Sequence, residues 1–368
     1  MSEYLHFSAP GRVELGGNHT DHQHGCVLAA AIRRSTRARV LPGGDTVRVY
    51  SQGYAPVVIC PTDLAPRPEE RGTTAALVRG MAAAFQRRGC PWQGFEAHVT
   101  SDVLPGSGLS SSAALEVLLG RMGNALFAGG ALSPVDIARM GQWAENVYFG
   151  KPCGLMDQLA SSVGGVSLMD FADPAAPEVE RIPARLPGYA LCVVDCGADH
   201  AALTAEYAAI PEELSAVSRF FGCETLRQVE EAAFYRSLPR LRPQVGDRAL
   251  LRAIHVFGEN RRVLAQADAL RRGDTETFLS LVNASGDSSW EYLQNITPRG
   301  STAHQELALC LALCRRTLAG QGAVRVHGGG FAGTALVIVP RPRLEALRLA
   351  LEPVLGPGCC QELAIEEK

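Results

Sequence analysis

Apolar residues change their spacing several times along the chain, and each change marks an element. Over residues 73–88, Ala76, Val78, Met81 and Phe85 recur at helical spacing. The run ends on Arg87, Arg88 and Gly89, which predicts a helix with a basic last turn and a glycine stop. Residues 95–101 alternate instead, with Phe95, Ala97 and Val99 set against Glu96, His98 and Thr100, as in a half-buried strand. The loop SDVLPGSG follows, and then LSSSAALEVLLGRMGNALFA, whose apolar density predicts a buried helix. SPVDIARMGQWAENVYFG predicts another, with Ser133 as N-cap and Pro134 at the first helical position. GGVSLMDF and ALCVVDCG read as strands, separated by the turn-rich ADPAAPEVERIPARLPGY. Further helices are expected over about 203–217, 224–234, 247–272, 275–285 and 341–353. AVRVHGGGFAGTALVIVP predicts a hairpin-like pair of strands around a glycine cluster, and residues 61–74, with three prolines and a charge run, a surface loop. Strands and helices mixed in both halves indicate an α+β protein and not a regular βαβ repeat.

The length of 368 residues, at ~150 per domain, suggests two domains. The turn-rich stretch places their boundary near residue 188, dividing the chain into 1–188 and 189–368. With 46% hydrophobic and 20% charged residues the composition is that of a folded globular chain. Lys and Arg minus Asp and Glu is 35 − 38 = −3, which argues against a nucleic-acid partner. No apolar run approaches the ~18–20 residues of a membrane span, so no membrane partner is expected. MSEYLHFSAPGR lacks the basic and apolar regions of a secretory signal. The eleven cysteines are scattered, with C-x3-C spacings at Cys192/Cys196 and Cys310/Cys314 and an adjacent pair, Cys359/Cys360. No C-x2-C pair occurs, so these are expected to be reduced, structurally idle thiols of a cytoplasmic protein.

Chemistry concentrates in four segments. In VLPGSGLSSSAALEVLLG (103–120) a glycine-rich loop opens directly into a helix. Free N–H groups and the positive end of the dipole, with the hydroxyls of Ser110, Ser111 and Ser112, make an anion cradle suited to a polyphosphate; a serine-capped turn is the plainer alternative. The second, APGRVELGGNHTDHQHGCVLAAAI (9–32), crowds Arg12, Asn18, His19, Asp21, His22 and His24 between core strands. Two readings compete: a His/Asp metal site, and recognition of a polyhydroxylated ligand. The third, HGGGFAGTA (327–335), is either a packed glycine hairpin or a close backbone approach to the same ligand. The fourth, WAENVYFGKPCGLMDQLASSVGG (143–165), sets Asp157 among Leu155, Met156 and Leu159. A carboxylate there needs a partner, and Arg12 is the candidate. Glu145, on the preceding predicted helix, would by itself be a surface charge.

Together these segments resemble the GHMP kinase family and, within it, the galactokinases. The family's first motif appears as Gly11-Arg12-Val13-Glu14-Leu15-Gly16-Gly17-Asn18-His19-Thr20-Asp21. Its nucleotide loop appears as Gly108-Leu109-Ser110-Ser111-Ser112-Ala113, its Cys-Gly-Ile-Met-Asp-Gln as Cys153 to Gln158, and its third motif as Gly328 to Gly333. RAIHVFGENRRVL (252–264) and AEYAAIPEE (205–213) are similar to further galactokinase stretches, so the resemblance runs in order over nearly the whole chain. It implies a two-domain α+β GHMP kinase fold with the active site in the inter-domain cleft. It further implies a sugar-1-kinase that transfers the ATP γ-phosphate to the anomeric hydroxyl of D-galactose, with ATP and Mg2+ as cofactors. Position by position, Asp157 matches the catalytic aspartate and Arg12 its neighbouring arginine. Gly106, Ser107, Gly108, Leu109, Ser110, Ser111 and Ser112 match the triphosphate loop, and Ser112 and Glu145 the Mg2+ ligands. Asn18, His19, Asp21, Gly154 and Tyr207 match sugar-contacting positions.

Three departures bear on these expectations. Asn18 replaces a family glutamate that contacts the hydroxyl at C6, which leaves room for a uronic acid such as galacturonate as an alternative substrate. His22 replaces a tyrosine. Ala332 replaces a glycine of the third motif, which a negative φ would permit. Two readings from other classes are a non-catalytic sugar sensor on the same fold and a metalloenzyme built on residues 19–24.

Overall fold

Two long strands organise the chain. β1 (Leu5–Gly16) and β2 (Cys26–Pro42) pair with each other. β2 is continuously buried from Cys26 to Ile32, then begins to alternate, so its apolar run gives way to the RRSTRAR pattern where one face meets water. In this computed structural model, residues 4–104, 106–197, 203–331 and 333–366 are described. Ala332 lies outside them.

The chain divides into two compact units that are discontinuous in sequence. One comprises the N-terminal segment through Arg12, Ala30–Gly165 and the end segment from Ile365; the other comprises Val13–Ala29 and Val166–Ala364. This differs from the contiguous halves 1–188 and 189–368, because β1 and β2 each run through both units and the end of the chain returns to the first. No cue local to the sequence marks such a return.

In the first unit, β3 (Val47–Ser51), β4 (Val57–Ile59) and β5 (Phe95–Ser101) join the later part of β2. β5 runs antiparallel to β2, from Thr36 opposite Ser101 to Pro42 opposite Phe95, and β3 runs parallel to β5. Four helices belong to the same unit: α1 (Thr74–Arg87), α2 (Ser111–Phe127), α3 (Pro134–Ala144) and α4 (Met156–Val163). Val40, Val47, Phe85, Phe95, Leu118 and Met122 are among the core side chains. The expected N-cap of α3 is present: the Asp136 N–H donates to Ser133 Oγ, and the Ser133 N–H donates to the Asp136 carboxylate, closing a capping box. α3 stops sooner than expected and continues as a π-helical turn, Glu145–Phe149, that ends at Gly150.

In the second unit, β6 (Val166–Asp170) pairs antiparallel with β7 (Glu178–Ile182), a strand inside the stretch expected to hold only turns. β8 (Tyr189–Asp195) begins a separate antiparallel sheet. Helices α5 (Thr204–Phe220), α6 (Glu231–Val245), α7 (Asp247–Arg271), α8 (Thr275–Ser288) and α9 (Glu306–Leu318) follow. β9 (Ala323–His327) and β10 (Thr334–Pro340) form the expected hairpin, and α10 (Leu344–Leu355) and β11 (Cys360–Leu363) complete the unit. The sheet order is β11-β8-β10-β9. α6 starts later than expected and extends across Pro239 and Pro243, with Phe234 and Leu241 buried. α9 was not among the expected helices, although Leu307, Cys310, Leu311, Cys314 and Leu318 give it one apolar face. The eleven cysteines are thiols, none of them in a disulfide among the described residues. Cys192, Cys196, Cys310, Cys314, Cys359 and Cys360 share one apolar core as small hydrophobic side chains.

Candidate active site

The loop before α2 and the strand beside it are in direct contact. A Cβ on Gly11 would stand 3.0 Å from the Leu109 carbonyl oxygen and 3.1 Å from both methyls of Val103, so a larger residue there would push the loop away. The next residue makes use of that closeness. The Arg12 backbone N–H donates to the Leu109 carbonyl (3.1 Å), and its side-chain Nη1 donates to the Gly108 carbonyl (2.5 Å).

The rest of the Arg12 fork is bidentate to Asp157, at the start of α4. Nε donates to Oδ1 and Nη2 to Oδ2, each at 2.8 Å. Ser110 Oγ donates to Asp157 Oδ2 at 2.7 Å. Ser110 occupies the N-cap position of α2 in a left-handed conformation (φ +59°), and its side chain caps nothing. The hydroxyl expected either to cap the helix or to face an anion is thus committed to the carboxylate. Burial pushes the Asp157 carboxyl upward. The Arg12 charge, its hydrogen bonds, the Ser110 hydroxyl and the Lys151 charge outweigh this and hold it at about 2. Asp157 is therefore ionised throughout the neutral range.

Two residues further into α2, Ser112 Oγ donates to Glu145 Oε1 at 2.9 Å. Glu145 is buried at the first position of the π-helical turn, and so is not a surface charge. Lys151 Nζ lies 3.4 Å from the same oxygen. Gln158 Nε2 donates to Glu145 Oε2 (2.8 Å) and to Glu116 Oε2 (2.9 Å). Burial and the nearby Glu145 push Glu116 well above the usual carboxylate range. Gly154 lies half-buried just before α4.

In the second unit the residues after β1 form a dense polar knot. Asn18 is only 1% exposed. Its Nδ2 donates to the Gly328 carbonyl (2.7 Å) and to Glu14 Oε1 (3.2 Å), while its Oδ1 accepts from Asn295 Nδ2 (2.8 Å) and Ser289 Oγ (3.4 Å). Glu14 is in turn ion-paired with the buried Arg325. The Asn18 amide is thus hydrogen-bonded within the protein at both its nitrogen and its oxygen. A uronic acid as substrate would need Asn18 to face it, and those four hydrogen bonds would have to be exchanged for that contact.

His19 Nε2 lies 3.0 Å from the Gly329 carbonyl oxygen, and burial with its neighbour His22 lowers the ring to about 3, so it stays neutral. Asp21 is half-buried on a short 3-10 turn, where its Oδ1 accepts from the His22 N–H at 2.8 Å. Tyr207 Oη donates to the Gly330 carbonyl (2.9 Å), and its ring packs edge-on against Phe331. The first and third motifs are therefore joined through the carbonyls of Gly328 and Gly329, while Tyr207 holds that of Gly330. Among the described residues no group of three or more His, Cys, Asp and Glu side chains converges on a metal position.

Residues 76–165 match the GHMP kinases N terminal domain, and residues 2–42 match the galactokinase galactose-binding signature. Galactokinase from Glaesserella parasuis is 33% identical over 353 residues, an alignment covering 92% of this chain and 86% of that protein. The chain belongs to the galactokinase family. Galactokinase from Actinobacillus pleuropneumoniae is also 33% identical, over 343 residues, with the same coverage of both chains. The galactokinase fold is evident in the likeness to the Lactococcus lactis galactokinase complexed with galactose: TM-score 0.84 at 24% identity, covering 99% of this chain and 94% of that one. The mevalonate kinase of L. major, in complex with R-mevalonate, shares the broader fold with a TM-score of 0.67 at 18% identity, covering 100% and 99% of the two chains.

Several members of these polar networks were not singled out from the sequence. α7 grips the first motif: His255 Nε2 bonds the Asn18 carbonyl (3.0 Å), Glu259 Oε1 accepts from the Gly17 N–H (3.0 Å) and Asn260 Oδ1 from the Cys26 N–H (2.9 Å). The i, i+4 spacing of His255 and Glu259 in RAIHVFGENRRVL was the available signal. Asn295 follows α8 in a segment with no motif. Gln158 stands beside Asp157, and Glu116 stands one helical turn after Ser112, and these spacings were their only cues. Among the described residues no helix is long and apolar enough to cross a membrane.

Proposed function

We propose that this member of the galactokinase family transfers the γ-phosphoryl group of ATP to the anomeric hydroxyl of D-galactose, with Mg2+ bound to the nucleotide. The observation that carries the reading is the grip on Asp157: a buried guanidinium on both carboxylate oxygens, a serine hydroxyl on one of them, and the glycine-serine loop bonded to the same arginine. Phosphoryl transfer asks for positioning and charge neutralisation more than for covalent chemistry, and this cluster is suited to both.

Asp157 would accept the proton of the attacking hydroxyl. A carboxylate held at about 2 is a weak base, so proton transfer would come late, once bonding to phosphorus has made the hydroxyl acidic. Arg12, besides keeping Asp157 ionised, would face the charge that develops on the transferred group. The main-chain N–H groups from Gly106 through Ser112 would hold the triphosphate at the α2 N-terminus. Ser112 Oγ and Glu145 are hard oxygen donors on one spot, a hydroxyl and a carboxylate, which fits Mg2+ completed by phosphate oxygens and water. Mg2+, when bound, supplies charge neutralisation on the β- and γ-phosphates. His19, Asp21, Gly154 and Tyr207 are the proposed sugar contacts, and Asn18 supports them from behind by fixing the Gly328 carbonyl and the 17–19 turn.

The reading is tested by ADP release against a panel of sugars. Turnover is expected with D-galactose and not with galacturonate. No turnover with galactose, or faster turnover with the uronate, would overturn it.

A further inference from the structure

Three rungs fasten the start of α2 to residues 145–158. Ser110 Oγ reaches Asp157, Ser112 Oγ reaches Glu145, and Glu116 accepts from Gln158. Gln158 adjoins Asp157 in sequence, yet its side chain turns to a different partner set. Its Nε2 carries two hydrogens, and both are used: one on Glu145 Oε2 at 2.8 Å, the other on Glu116 Oε2 at 2.9 Å. Gln158 and Glu116 are fully buried, and the phosphoryl transfer outlined above assigns neither a task. Glu145 has three side-chain torsions to fix. Ser112 holds one of its oxygens and Gln158 the other, so the plane of the carboxylate is set from both ends.

We propose that Gln158 is a positioning residue for the metal arm: anchored from behind by Glu116, it aims the Glu145 carboxylate at the Mg2+ that accompanies the nucleotide. This rests on the reading of Ser112 and Glu145 as the Mg2+ ligands. The consequence is selective. A hydrogen-bond partner behind a metal-ligating carboxylate sets its orientation, and losing that partner costs about 10–100-fold in metal affinity. The bonds of Gln158 Nε2 go to Glu145, Glu116 and, at 3.7 Å, Cys153 Sγ, and among the described residues none goes to Arg12 or to residues 106–112, so binding of nucleotide without metal is not expected to depend on it.

The test is equilibrium titration of ADP with and without Mg2+, beside titration with galactose. In Gln158→Met the Mg2+ concentration needed to tighten ADP binding is expected to rise about tenfold or more, while ADP affinity without Mg2+ and galactose affinity stay within about twofold. Glu116→Leu is expected to behave in the same way, whereas Glu116→Gln, which keeps an acceptor for the Gln158 amide, retains the wild-type Mg2+ response. Equal losses with and without Mg2+ would mean a packing role only and overturn the proposal, and so would an unchanged Mg2+ response in Gln158→Met. If Gln158→Met does not fold, the contrast between Glu116→Leu and Glu116→Gln reads the same chain of contacts. Glu145→Gln separates the two levels of inference. If its Mg2+ response is normal, the metal reading itself fails; if it is lost there but intact in Gln158→Met and Glu116→Leu, only the positioning role fails.

Discussion

Replacing Arg12 by methionine keeps an unbranched chain of similar reach and deletes the guanidinium. In the wild type the Asp157 carboxyl sits at about 2 against an ordinary 3.8. The gap of about 1.8, at 1.36 kcal/mol for each tenfold change, corresponds to about 2 kcal/mol favouring the charged form. That figure is a net one. Burial pulls the other way, so the Arg12 charge and its two hydrogen bonds, with the Ser110 hydroxyl and the Lys151 charge, must together exceed it. In Arg12→Met the burial penalty remains, opposed only by the Ser110 hydroxyl and the Lys151 charge, and the carboxyl is expected to titrate above 3.8. The sign for stability follows. A depressed value in the folded state stabilises above the unfolded value near 3.8, and that contribution is lost as pH falls through about 2. In the variant the sign reverses, and acid favours the fold through this group. The 13C NMR titration of the Asp157 carboxyl reads the shift directly, and the pH profile of kcat/KM reads its consequence: no acid limb from Asp157 above pH 4 in the wild type, one in the variant. A carboxyl still titrating near 2 in Arg12→Met would refute the assignment of Arg12 as its charge partner.

Asp157→Asn removes the proposed proton acceptor but keeps the shape, and turnover is expected to fall by about 10²–10⁴ while calorimetry shows nucleotide binding retained; turnover like that of the wild type would strip Asp157 of its proposed role. Asn18→Glu puts a second buried carboxylate beside Glu14, with Arg325 the cation already paired there, and should cost about 3–5 kcal/mol in urea unfolding. The double variant Glu14→Asn/Asn18→Glu returns to one charge and should recover most of the loss, whereas simply additive losses would show that the two positions do not interact. Gly330→Ala is expected to lower the thermal midpoint by at least a few degrees. Residue 330 lies at φ +85°, and a Cβ there would fall 2.1 Å from the Asn295 carbonyl oxygen, so an unchanged midpoint would contradict that packing.

What could be read along the chain was what depends on neighbours in sequence. The α3 cap is complete within four residues, Ser133 to Asp136, and the 323–340 hairpin within eighteen, so residue type and spacing sufficed for both. The motif residues Arg12, Asp157, Ser110 and Ser112 were also legible, as was the need of Asp157 for a cationic partner, because an unpaired carboxylate among apolar side chains is too costly to keep. Which hydroxyl serves which acid was not legible. Ser110 and Ser112 are alike in sequence, and only the approach of α4 and of the π-helical turn to α2 sends one to Asp157 and the other to Glu145. The same limit hid the burial of Asn18, whose four partners come from β1, the residues following α8 and the glycine hairpin. Residue type, spacing and motif order along the chain carry the family, the local elements and the types of group the chemistry would use. Tertiary structure alone decided the two discontinuous units, the pairing of each hydroxyl and the withdrawal of Asn18 from solvent, because contacts between residues far apart in the chain depend on packing that no local pattern encodes.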